Sequence, residues 1–213
     1  MQNDSPSFKT EFHSSISLEF NLSPGQIPFL FPLLQKGFMV KARVGVSVQT
    51  FLGDHFGLSP EYLRDRVKTI FLDGTSVDDL DKTLILDGSR LALSAALPGL
   101  AGAVLRRGSP FAGLRSRVME GEKGLPGKPE EGFVSLKIFN LLLPELGPLF
   151  LRKGILISRE DFQEFWGSLP GGIRERIEET IRVEGKGLPP GQIRDFIGSS
   201  SMAWISLVVH SGS

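Results

Sequence analysis

Among residue types that can do chemistry, this chain of 213 residues has no cysteine and three histidines, His13, His55 and His210. Without thiols there is no disulfide, no thiolate nucleophile or metal ligand, and no persulfide relay. The histidines are far apart, and none stands three or four residues from a second ligand suited to zinc. His55 follows Asp54 at the expected end of a helix, where an imidazole suits the dipole. All three read as structural or surface groups. Asp73, Asp78, Asp79 and Asp81 gather around one turn, but their spacing fits no calcium loop, so they read as a solvated turn. Glu160, Asp161 and Glu164 invite an acid/base pair; in the first turns of a helix they simply favour its dipole. The run RERIEETIR places Arg174–Glu178 and Glu178–Arg182 at i,i+4 and predicts a salt-bridged exposed face. No nucleophile elbow, phosphate loop or dinucleotide fingerprint is present. These residues predict no catalytic site, no metal, no cofactor and no enzyme.

Two features remain for interaction. Arg106, Arg107, Arg115 and Arg117 form a basic run with no acid before Glu120. They suit an acidic partner, an anionic cofactor or nucleic acid, or else a solubilising loop. The proline-rich stretches Ile27–Leu34 and Leu141–Leu151 hold Phe29, Phe31, Leu142, Leu149 and Phe150, which are expected to pack over a sheet or between domains. Lys plus Arg balance Asp plus Glu at 24 each. That balance argues against a nucleic-acid protein working by bulk charge and leaves a protein partner as the expectation. The N-terminus shows no secretory pattern, and the longest apolar run is far short of the ~20 residues of a membrane span. With no disulfides, a soluble cytoplasmic protein is expected.

The elements that position these groups follow from periodicity. Ser15 to Leu22 alternates Ile16, Leu18, Phe20 and Leu22 with polar residues, a half-buried strand. SPGQIPFLFPLLQKG is too rich in proline for a regular element and predicts a broad apolar turn or lid. Phe38 to Val46 is a strand with Lys41 and Arg43 on the wet face. Ser47 and Ser59-Pro60 start helices that run to about Phe56 and Val67. Lys68–Leu72 and Arg90–Ala95 are strands, and Asp73-Gly74 and Asp87-Gly88 supply the positive φ of tight turns. From 97 to 132 the density of Gly and Pro predicts a linker or long ordered loop.

The order strand, strand, helix, strand, short strand, strand, ending in DGSRLALSAALPGLAG, resembles the β-grasp (ubiquitin-like) fold. More closely it resembles the sulfur carriers: the small subunit of molybdopterin synthase and the thiamine-pathway carrier. The residues that carry the resemblance are Asp73-Gly74, Val77, Leu86, Asp87-Gly88, Leu91, Leu93, Pro98 and Gly99, within 12–105. The family's function needs a flexible Gly-Gly tail with a free carboxylate. Here the corresponding tail, Leu97 to Gly102, is internal and has no Gly-Gly, so carrier chemistry would require cleavage after Gly99 or Gly102.

The second half repeats the first in order. SLEFNLSPGQIPFLFPLLQKG (17–37) lines up with SLKIFNLLLPELGPLFLRKG (135–154), and Ser47 and Phe51 with Ser158 and Phe162. LRDRV (63–67) matches IRERI (173–177), Gly74 falls on Gly185, and 87–99 falls on 197–212 with gaps. The expected fold is therefore α+β: two tandem β-grasp-like domains, 12–105 and 133–213, each a mixed sheet with a helix on one face, joined by the linker 106–132. Three functions stay open. The favoured one is a non-enzymatic binding or scaffold protein acting through its sheet face and arginine-bearing linker. The others are a carrier or modifier released by cleavage, and a small-ligand binder at an inter-domain cleft.

Overall fold

A computed structural model describes residues 15–95, 128–189 and 191–211. The chain is α+β and divides into two compact units. Unit 1 is Met1–Phe38 with Pro148–Ser213, and unit 2 is Met39–Gly147. The sequence halves 12–105 and 133–213 are thus each shared between the two units.

Unit 1 contains β1 (Ser15–Leu22), a 3-10 turn (Ile27–Leu30) and α1 (Phe31–Lys36). From the far end of the chain it takes β9 (Ile155–Ser158), α5 (Arg159–Ser168), α6 (Gly171–Glu178), β10 (Ile181–Val183), β11 (Lys186–Gly187), α7 (Ile193–Ser199) and β12 (Trp204–Ser211). The strand order is β11-β10-β1-β12-β9. β1 runs parallel to β12 in continuous register from Ser15↔Trp204 to Leu22↔Ser211, and β10 and β9 flank that pair antiparallel. The alternation read from the sequence puts Ile16, Leu18 and Phe20 beside Ile205, Leu207 and Val209, all buried. Phe162, Trp166, Ile193 and Ile197 of α5 and α7 are buried with them.

Unit 2 contains β2 (Phe38–Val44, from Met39 on), β3 (Val46–Ser47), α2 (Val48–Thr50, continued by a π-helical turn Phe51–His55) and α3 (Pro60–Asp65). Then come β4 (Thr69–Leu72), β5 (Thr75–Ser76), β6 (Leu84–Ile85), β7 (Arg90–Ser94) and β8 (Glu130–Phe139). The order is β2-β8-β7-β4-β5, with β3 and β6 as a separate pair. β7 and β8 are parallel, Arg90↔Ser135 to Ser94↔Phe139, and β4 is antiparallel to β7. The helix α4 (Leu142–Lys153) begins in unit 2 and ends in unit 1.

Each unit therefore receives a strand from the other half of the sequence: β1 lies among the strands of the second half, and β8 among those of the first. β8 is fastened by the turn that the sulfur-carrier resemblance highlights. Phe133 N–H donates to Asp87 Oδ1 at 2.7 Å, Gly88 N–H to Phe133 O at 2.8 Å, and Ser135 N–H to Ser89 O at 2.9 Å. Asp73 in turn accepts from Arg90 N–H at 2.7 Å.

Local signals were accurate. The Ser47, Ser59 and Ser158 hydroxyls accept from the N–H groups of Thr50, Tyr62 and Asp161. Asp73 (φ 50°) and Gly74 (φ 83°) shape the β4–β5 turn, and Glu184 (φ 50°) and Gly185 (φ 74°) shape the β10–β11 turn in the same way. Three expectations need correction. The proline-rich stretch after β1 is helical rather than a turn or lid: Pro28 and Pro32 sit in first turns, where a missing N–H costs nothing. Leu141–Leu151 is likewise helical from Leu142, with only Pro148 in the helix interior. The first of the strands carrying Lys41 stops at Val44, because Gly45 (φ 74°) turns the chain into β3.

Gly132 is where β8 comes closest to its support. A Cβ there would lie 2.7 Å from both Asp87 Oδ1 and Val44 Cγ2. Gly132→Ala is expected to destabilise the protein by about 1–3 kcal/mol, the usual cost of overpacking, read as a lower urea midpoint. A fragment ending at Gly102 lacks β8, and is expected to show no cooperative unfolding transition in urea.

Candidate functional site

The inner face of the unit 2 sheet is apolar: Val40, Ile70, Leu91, Leu93, Leu136 and Ile138 are buried. The outer face follows from register, since directly paired residues share a face. Ala92 stands at its centre, with Lys137 beside it on β8 and Phe71 on β4. Two residues back along β7 is Arg90, beside Ser135; two residues on is Ser94, between Phe139 and Thr69. On β2, the neighbour of β8, Lys41 and Arg43 are exposed, and Lys41 Nζ meets Glu131 Oε2 at 2.8 Å. Arg90 and Lys137 are exposed, and Phe71, Ala92 and Phe139 half-buried. Arg43, Arg90 and Lys137 have no ion-pair partner among the described residues.

This face carries three cations without ion-pair partners among the described residues and two half-buried aromatic rings, with Ser94 and Thr69 buried at one end. At one corner Thr69 is 1 % exposed and its hydroxyl has no hydrogen-bond partner among the described residues. Lys41 and Arg43 were legible as a wet face. Arg90, Lys137, Phe71 and Phe139 were not singled out, because only the β7–β8 register brings them together.

Arg106, Arg107, Arg115 and Arg117, the tail glycines Gly99 and Gly102, and His13 lie outside the described residues. His55 stacks on Phe51 at 6.0 Å between ring centres. His210 Nε2 is 3.9 Å from Glu19 Oε2. Asp79 accepts from the N–H groups of Asp81 and Lys82, both at 3.1 Å, as a structural turn does, and Asp73 is committed to β7. No group of three or more acidic or histidine side chains among the described residues is arranged to hold a metal. Asp161 and Glu164 both meet Lys36, at 2.8 and 2.5 Å, and tie α5 to α1 within unit 1. Glu178 departs from its expected exposed ladder. It is buried and accepts from Ile193 N–H at 3.1 Å, holding the start of α7, while Arg182 has left the helix for β10. Beside α7 a groove of about 240 Å³ is lined by Phe162, Gln163, Trp166, Gly167, Arg194 and Ile197.

One cluster that the sequence did not flag has the makings of acid/base chemistry. Tyr62 Oη donates to Glu145 Oε2 at 2.7 Å, and Arg66 clasps the same carboxylate with Nε at 3.1 Å and with Nη2. Arg66 holds the Glu145 carboxyl below its ordinary 4.5, with help from Tyr62. Burial, and then the Glu145 carboxylate, push the Tyr62 phenol well above 10.0. Neither group is tuned to exchange protons near neutrality, so the cluster works as a brace between α3 and the first turn of α4. A carboxylate with a depressed pKa stabilises the fold fully above 4.5 and loses that contribution as pH falls through the lower value. Glu145→Gln should therefore melt below wild type at pH 7. The gap should close as the pH is taken below 4.5, followed by circular dichroism.

Set against family models, curated proteins and solved structures, the chain matches none of them.

Proposed function

We propose that the protein is a non-enzymatic binding module and that its contact surface is the outer face of the unit 2 sheet around Ala92. The observation that supports this is the gathering on one face of Arg43, Arg90 and Lys137, which have no carboxylate partner among the described residues, with Phe71 and Phe139. A partner that brings negative charge recovers that unused attraction. The ubiquitin-like resemblance adds an analogy, since such sheets often serve as recognition surfaces.

The reading as a non-enzyme rests on the side chains with catalytic potential being engaged in structural pairs, Tyr62 with Glu145 and Asp161 with Lys36. The reading as a released carrier is weaker for a specific reason. Cleavage after Gly99 or Gly102 would separate β7 from the chain that supplies β8, its parallel neighbour.

Retention on heparin at pH 7 tests the site. Two charge reversals of equal net charge are compared, Arg90→Glu with Lys137→Glu on unit 2, and Arg182→Glu with Lys186→Glu on unit 1. Wild type should be retained, and only the unit 2 pair should abolish retention. Equal losses from both pairs would show that net charge alone governs it and would overturn the proposed face.

A further inference from the structure

We infer that the anionic partner of this face is single-stranded nucleic acid, a step that rests on the reading of the face as an anion-binding surface. Charge alone does not choose between an acidic peptide and a nucleic acid; the rings do. Phe71 and Phe139 lie on the two strands that flank β7, on opposite sides of Ala92 and Ser94. Phe71 lies across Ala92 from Lys137, and Phe139 stands two residues beyond Lys137 on β8. An acidic peptide uses the cations and leaves the rings idle. A single strand uses both, because its bases stack on aromatic side chains while basic groups track the phosphates.

The face suits this ligand in a second respect. Ala92 and Ser135, both half-buried, are the residues between Phe71, Lys137 and Arg90. Beside these small side chains Arg90 and Lys137 are exposed, and Phe71 and Phe139 keep part of their surface open for a base. Paired strands on both sides leave β7 and β8 no free backbone edge, so recognition proceeds through side chains, which suits a ligand without a peptide backbone. Arg43, Arg90 and Lys137, without ion-pair partners among the described residues, set the strength of the electrostatic part. The logarithm of the affinity should fall against the logarithm of salt with a slope of about −2, from ~0.7 per neutralised phosphate of a single strand.

The test uses the full chain with a fluorescein-labelled twelve-residue oligouridine and a labelled twelve-residue polyglutamate, read by anisotropy from 50 to 200 mM salt. Oligouridine should bind more tightly than polyglutamate, with the slope given above. Arg90→Glu with Lys137→Glu should abolish binding. Phe71→Leu and Phe139→Leu, which keep an apolar side chain for folding, should each weaken oligouridine by about fivefold or more and leave polyglutamate unchanged. Circular dichroism confirms that each variant is folded. Equal or tighter binding of polyglutamate, or indifference of oligouridine to the Phe substitutions, would overturn the nucleic-acid inference while the binding face stands. Binding of neither probe, or binding indifferent to the charge reversals, would overturn the face itself.

Discussion

The structure depends on two parallel strand pairings, β1 with β12 and β7 with β8. Each joins the first strand of one sequence half to the last strand of the other. Parallel neighbours need a long connection, because the chain must return to the starting end before it can pair again. In unit 2 that connection is the segment between Ser94 and Glu130, rich in Gly and Pro. In unit 1 nearly the whole chain lies between the partners. The remaining elements serve these pairings. The Asp87-Gly88 turn receives β8, Asp73 holds the start of β7, and the buried Glu178 positions α7, the element just before β12.

The same pairing makes the candidate face. Arg90 and Lys137 come from separate halves and become diagonal neighbours only because β8 lies against β7. The residues that carry the sulfur-carrier resemblance acquire a different task here. Asp73, Asp87 and Gly88 hold backbone, and what they hold is the strand that brings Lys137 and Phe139 into place. Fold and proposed function thus rest on one set of hydrogen bonds.

What was legible in the sequence was whatever is decided within a few residues. A serine before a helix satisfies its N–H groups by its own chemistry, so Ser47, Ser59 and Ser158 could be read directly. Alternation revealed β1, and Asp73-Gly74 revealed its hairpin, for the same reason. The recurrence of these signals in the second half also has its counterpart in geometry, with the turn at Glu184-Gly185 matching that at Asp73-Gly74. Which strands pair is decided over a hundred residues or more, and no local pattern records it. Proline misled where composition outweighed position, since Pro28 and Pro32 stand in first turns. Glu178 misled because i,i+4 spacing implies a continuous helix, and α6 ends at Glu178 itself.

The pairing of Ser15 with Trp204 has a consequence for how the protein is made. A ribosome adding about 5–20 residues per second needs roughly 10–40 s to travel from the first partner to the second. Through that interval Ile16, Leu18, Phe20 and Leu22 have left the tunnel and their parallel partner does not yet exist. An apolar strand with an open edge is the kind of segment that pairs with the wrong chain. Birth is therefore this molecule's most exposed moment, and its yield in a cell should depend on whatever shields the first twenty-two residues until the last dozen arrive.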